Sequence, residues 1–305
     1  MNKYTKLAGI LAAAAMLALT GCGRQEGAEE QPEASPEESV IQTEEPEAAP
    51  EEETDQNEAA SAERTEVSAE ELYAKGSNDV LVYRLFTPET EEEKVPLILY
   101  LHGAGAIGDD NITHITTKDA ASFVTEEMQE LHPCYVLAPQ LPERYTAAGE
   151  SPADEQSAKG WTDEEVQEAL METIEEIAGT NGNVDMDRIY ITGHSMGALG
   201  VWGMIAAYPD VFAAAVPISG LWDGSVDDLV DLPIWIFHGE KDEVVPVDRE
   251  TMLRDRLEEL GGNVRMTIYT DEDFAAAGVT DPHGANVPAY SDQEMFDWMF
   301  DQKRN

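Results

Sequence analysis

The 305 residues carry 63 Asp+Glu against 18 Lys+Arg, a formal net charge of −45. Nucleic acid is excluded as a partner on that balance, because binding phosphates needs clustered positive charge. Cysteine is confined to Cys22 and Cys134, too few for a disulfide framework or a Cys-rich metal site.

At the N-terminus, Lys3 and Lys6 precede an apolar stretch from Leu7 to Leu19. This is shorter than the ~20 apolar residues that span a bilayer, and its layout is that of a secretory signal. It ends in Leu19-Thr20-Gly21-Cys22, which resembles the lipobox of bacterial lipoproteins. The resemblance implies cleavage before Cys22 and a lipid on that cysteine. The expectation is a membrane-anchored lipoprotein facing outside the cytoplasm, with residues 1–22 as its signal. Residues 23–68 hold sixteen Asp+Glu against Arg24 and Arg64, and no aromatic residue. Such a segment buries too little apolar area to offset its ordering entropy, and like charges extend it. It reads as a disordered acidic tether.

Residues 69–305 read as one α/β domain. Apolar, β-branched runs recur at Val80–Phe86, Pro96–Leu101, Cys134–Ala138, Arg188–Thr192, Ala214–Ile218, Pro233–Phe237 and Val264–Tyr269. Cys134, inside its run, reads as a small buried hydrophobe. Helical periodicity lies between most runs. Thr162 and Glu165 suggest a capping box opening a helix that runs to about Ala178, before Gly179. Further helices are expected from Ser195 to about Ala206, over Val247–Leu260, and over Asp292–Phe300. Alternating strands and helices predict a mostly parallel sheet covered on both faces, with the ligand site beyond the carboxyl ends of the strands.

The residues that carry chemistry cluster at those ends. Gly193-His194-Ser195-Met196-Gly197 follows a predicted strand and opens a helix, the setting in which G-x-S-x-G presents a nucleophilic serine. The strand Pro96–Leu101 ends in His102-Gly103-Ala104-Gly105, where backbone amides of Ala104 or Gly105 can join that of Met196 in an oxyanion hole. His102 reads as shaping that loop rather than transferring protons. After Pro233–Phe237 comes His238-Gly239-Glu240-Lys241-Asp242, and Asp242 stands where an orienting carboxylate belongs, with Glu240 and Glu243 as rivals. Only His238 and His283 follow Ser195. His238, close to the strand end, reads as half of a loop-shaping His-Gly pair, which leaves His283 as the base.

These pieces, together with Gly108-Asp109-Asp110-Asn111, Ala138-Pro139-Gln140, Val184–Tyr190, Tyr208-Pro209 and Ala289-Tyr290, resemble the secreted esterases and predicted peptidases related to the prolyl oligopeptidase family. The resemblance runs from Pro96 to the C-terminus. It implies the α/β-hydrolase fold and a Ser195–Asp242–His283 triad working without a cofactor. Members include carboxylesterases, some acting on plant cell-wall polysaccharides, and proteins labelled peptidases. The chain departs from relatives at Ala106-Ile107, where Glu-Arg is frequent, at His194, where Leu is frequent, and at Asn286, where many carry Trp. His194, Asn286 and Trp222 are candidate pocket residues, with ordinary packing as the alternative for Trp222, and the polar segment 141–160, with Trp161 after it, reads either as a pocket wall or as a flexible surface insertion.

The expectation is therefore a serine hydrolase that cleaves carboxylic esters through an acyl-enzyme, with acyl groups on polysaccharides as one substrate class. The alternatives are a peptidase of prolyl-oligopeptidase type and a non-catalytic surface-binding module on the same fold.

Overall fold

The computed structural model describes residues 68–146 and 160–304. The expected signal, Cys22, the tether up to residue 67 and the centre of the 141–160 segment lie outside the described residues. Among those described, the strands are β1 (Ala74–Ser77), β2 (Val82–Phe86), β3 (Val95–Leu101), β4 (Tyr135–Gln140), β5 (Val184–His194), β6 (Ala214–Ile218), β7 (Ile234–Gly239) and β8 (Val264–Tyr269). The helices are α1 (Ala69–Leu72), α2 (Lys118–Ser122), α3 (Glu126–Leu131), α4 (Glu164–Asn181), α5 (Met196–Ala207), α6 (Asp248–Glu259), α7 (Asp271–Ala276), α8 (Asn286–Ala289) and α9 (Gln293–Phe300).

The strands form one sheet in the order β1-β2-β4-β3-β5-β6-β7-β8. β1–β2 and β2–β4 pair antiparallel, and every other pairing is parallel. All seven residues of β3 are buried, as a strand covered on both faces requires. Side-chain alternation then divides the core. Leu97, Leu99 and Leu101 pack with α4, α5 and α6 residues such as Leu170, Trp202 and Leu253. Ile98 and Tyr100 pack on the other face with Ala120, Met128 and Phe296 from α2, α3 and α9. The result is the α/β-hydrolase fold expected from the sequence.

Three local expectations are corrected. The cap of α4 is Asp163, whose side chain accepts from the Glu165 amide at 3.0 Å. Thr162 instead packs its methyl over Gly203, where an added Cβ would meet it at 2.6 Å. The helix also runs through Gly179 to Asn181 and stops at Gly182, whose φ of 72° is left-handed. Gly179 faces open space and costs only about 1 kcal/mol in a helix, so a conformational stop wins over composition. Finally, β1 escaped the strand pattern because Ala-Lys-Gly-Ser has no apolar alternation, and β2 begins at Val82 because Asn78 Oδ1 holds the amides of Val80 and Leu81 in a turn.

Candidate active site

β5 ends at His194, and α5 begins at Met196. Between them Ser195 adopts φ 59° and ψ −121°, a strained conformation for a residue with a side chain. Its amide is tied to the Ile218 carbonyl at 2.9 Å. The flanking glycines are sterically required: a Cβ on Gly193 would stand 2.6 Å from the Leu101 carbonyl oxygen, and one on Gly197 2.0 Å from the same atom. The end of β3 and the turn around Ser195 therefore touch backbone to backbone, which places the loop after β3 beside the serine.

Ser195 Oγ lies 2.9 Å from His283 Nε2, and His283 Nδ1 lies 2.7 Å from Asp242 Oδ2. The elements that supply them are the β5–α5 turn, the loop before α8 and the loop after β7. Asp242 is saturated with donors. Its Oδ1 accepts from the amides of Val244 and Val245, each at 2.9 Å. Burial alone would raise this carboxyl, yet His238, His283 and the Val245 amide hold it well below the usual carboxylate range. Among the described residues these are the distances expected of a nucleophile, a base and an orienting acid.

The amides expected to form an oxyanion hole begin helices. Ala104 and Gly105 open a single 3₁₀ turn whose first closing bond is Ala106 N–H to the Gly103 carbonyl. Met196 is the first residue of α5. Amides in the first turn of a helix have no partner within it and remain available as donors. His102 acts on this loop as expected. Its Nε2 accepts from the Leu141 amide at 3.0 Å, so Nδ1 carries the proton donated to the Gly103 carbonyl at 2.7 Å. Burial lowers this imidazole to about 4, so it stays neutral. Trp161 supports the loop from behind, its indole N–H donating to the His102 carbonyl at 3.1 Å. Gln140, at the end of β4, pins the next stretch: its amide donates to the Ala106 carbonyl and its oxygen accepts from Asn111 N–H.

The three candidate pocket residues separate. His194 reaches the triad: its Nε2 donates to the His283 carbonyl at 2.7 Å, and the two rings lie 4.8 Å apart. Burial, and then the neighbouring His283, lower His194 to about 4. Asn286 donates to Asp119 Oδ1 at 2.7 Å and ties α8 to α2. Trp222 lines a cleft of about 490 Å³ with Val226, Arg249, Met252 and Leu253, and no triad residue lines that cleft.

His238 holds its loop, as expected, and does more. Its ring is buried, with Nδ1 2.7 Å from Glu250 Oε2 and Nε2 2.8 Å from the Val245 carbonyl and 3.4 Å from Asp242 Oδ2. Gly239 shapes the loop as well, by leaving room for the Pro282 carbonyl, which an added Cβ would approach to 2.0 Å. Glu250, buried in the first turn of α6, gave no signal in so acidic a sequence.

The chain is similar to several known proteins. A crystal structure of a thermostable esterase is similar at 38% identity with a TM-score of 0.66, over 76% of this chain and 63% of that one. The acylaminoacyl peptidase of Pyrococcus horikoshii shares the fold at 18% identity with a TM-score of 0.52. Among curated proteins, an uncharacterized secreted protein of Arthroderma benhamiae is 26% identical over 60% of this chain and 22% of its own length. A poly(3-hydroxyalkanoate) depolymerase C of Paucimonas lemoignei is 52% identical over 40 residues, 10% of its length. The chain thus spans less than a quarter of these curated relatives. The phospholipase/carboxylesterase family profile matches residues 84–277, a stretch that holds both Ser195 and Asp242, and the chain belongs to that family.

Proposed function

We propose that this protein is a serine hydrolase that cleaves carboxylic esters through an acyl-enzyme. The observation that carries the reading is the continuous contact from Ser195 Oγ through His283 to Asp242, at 2.9 and 2.7 Å. His283 takes the Ser195 proton as Oγ attacks the ester carbonyl. The amides of Met196 with Ala104 or Gly105 receive the developing oxyanion, a stabilisation of ~3–4 kcal/mol per donor. Collapse expels the alcohol, which takes the proton from His283. Water, activated by the same imidazole, then releases the acid. Asp242 orients the ring and stabilises its charged form. The family description, the thermostable esterase and the depolymerase are all named for ester substrates, which supports esters over amides.

Short-chain aryl esters should turn over much faster than aminoacyl anilides, and a fluorophosphonate should label Ser195. Ser195→Ala should remove roughly six orders of magnitude in kcat and Asp242→Asn roughly four, judged from serine proteases. A preference for the anilide in kcat/KM overturns the ester reading, and an active, folded Ser195→Ala overturns the nucleophile.

The same proposal places the enzyme at the cell surface, held by lipid on Cys22 and set off from the membrane by the acidic tether. The name of the secreted relative is consistent with that location. Acyl esters on polysaccharides are one class of ester found outside cells, so acetylated and feruloylated sugars belong in the substrate panel. Cys22→Ala should leave the membrane fraction; unchanged partitioning of that variant refutes the anchor.

A further inference from the structure

The triad is one arc of a larger closed circuit. Asp242 Oδ2 faces two imidazoles, His283 Nδ1 at 2.7 Å and His238 Nε2 at 3.4 Å. His238 Nδ1 continues to Glu250 Oε2 at 2.7 Å, and Glu250 Oε1 accepts from the Trp202 indole N–H at 2.8 Å. Trp202 and Ser195 belong to the same strand–helix unit, Ser195 as the residue that caps α5 and Trp202 within the helix. The path therefore returns to the helix from which it began. His238 and Glu250 are fully buried, and Glu250 is wedged against Gly220, where an added Cβ would stand 2.8 Å from Oε1.

The partners define the state of the ring. His238 Nε2 faces a carbonyl and a carboxylate, and Nδ1 faces a second carboxylate. Neither nitrogen faces a backbone amide or other fixed donor, so with both carboxyl groups ionised the ring carries two protons and is an imidazolium. A buried charge persists when it is paired and hydrogen-bonded, and here it is enclosed by Asp242 and Glu250. Burial opposes the charge, but Asp242, Glu250 and the Val245 carbonyl outweigh it and raise His238 to about 10. The other titratable groups facing it are His283, through the shared Asp242 carboxylate, and His194 on β5, which stays neutral.

We propose that His238 and Glu250 are positioning residues for this triad, a buried imidazolium–carboxylate pair that fixes Asp242 from the side not used by His283 and opposes a second positive charge on the catalytic imidazole. The inference rests on the triad reading above. Its functional consequence is a wider working range on the acid side. One cation already stands beside Asp242, and like charges repel across a poorly screened interior.

His238→Gln is the informative variant. The glutamine amide can still donate to Asp242 and to the Val245 carbonyl, but it carries no charge. The acid limb of its kcat/KM profile should move up by about one pH unit relative to wild type, with Ser195 still labelled by a fluorophosphonate at high pH. A role limited to packing would lower activity at all pH values and leave the limb in place, and that result overturns the proposal. Nitrogen-15 NMR of the wild-type histidines is a test independent of whether the variant folds. One ring should keep its imidazolium signature at pH 8, and should lose it at a lower pH in Glu250→Gln. All six rings neutral at pH 8 would refute the charged pair. If wild type neither cleaves esters nor is labelled at Ser195, it is the triad reading that fails, and the NMR result still decides whether the pair exists.

Discussion

A methyl group added at Gly239 would stand 2.0 Å from the Pro282 carbonyl oxygen, one residue before the proposed base. A Cβ is fixed to its own backbone and the Pro282 oxygen is itself backbone, so neither can yield easily and Gly239→Ala should push the His283 loop away from Ser195. Misplacing a reacting group by ~1 Å can cost about 10²-fold, and the loss should fall on kcat rather than KM. Unaltered kcat in a folded Gly239→Ala would show that the loop tolerates displacement. At this scale the sequence was legible where chemistry imposes order along the chain. Ser195 was marked by its flanking glycines and its place between strand and helix, Asp242 by its distance from β7, and His283 by elimination. What stayed hidden was pairing in space. Glu250 is one of many carboxylates in the chain, and only packing against Trp202 and His238 distinguishes it. His194, read as a pocket residue, also has its ring N–H on the His283 carbonyl, a contact that spacing along the chain does not announce.

Among elements, central strands were the most readable. β3, β6 and β7 are uniformly buried, and their continuous apolar runs announce it. β1 was unreadable for the opposite reason: three of its four residues are exposed, and its place is fixed by pairing to β2 rather than by its own composition. Helix ends were less legible than helix bodies. The stop of α4 depends on which glycine turns left-handed, and composition offers both Gly179 and Gly182 without choosing. The predicted Asp292–Phe300 helix, in contrast, opens on Asp292, whose side chain accepts from the Glu294 amide at 2.9 Å.

For the whole molecule, histidine burial predicts how stability follows pH. His102 and His194 are lowered to about 4 and His114 to about 3, mainly by burial. In the unfolded chain these rings titrate near 6.5, so between pH 6.5 and 4 the unfolded state binds more protons. Their contribution is full above 6.5 and is lost as pH falls toward 4. His238, raised to about 10, has the reverse sign: its contribution is full below 6.5 and is lost as pH rises through 10. The melting temperature should therefore peak at about pH 6–7 and decline on both sides. A melting temperature that stays level from pH 7 to 5 would show that these rings are not neutral in the folded state.

The two margins of the eight-stranded sheet carry a further consequence. An open β edge is a template onto which another copy can add its own strand. Here β1 is four residues long and carries Lys75, and β8 exposes Arg265, whose guanidinium lies over the rings of Trp235 and Trp298 at 5.1 and 5.7 Å. A short strand gives little purchase, and a cation on each margin would have to meet its like on a second copy aligned edge to edge. The same features that close the fold at its sides thus resist the growth of the sheet from one molecule into the next.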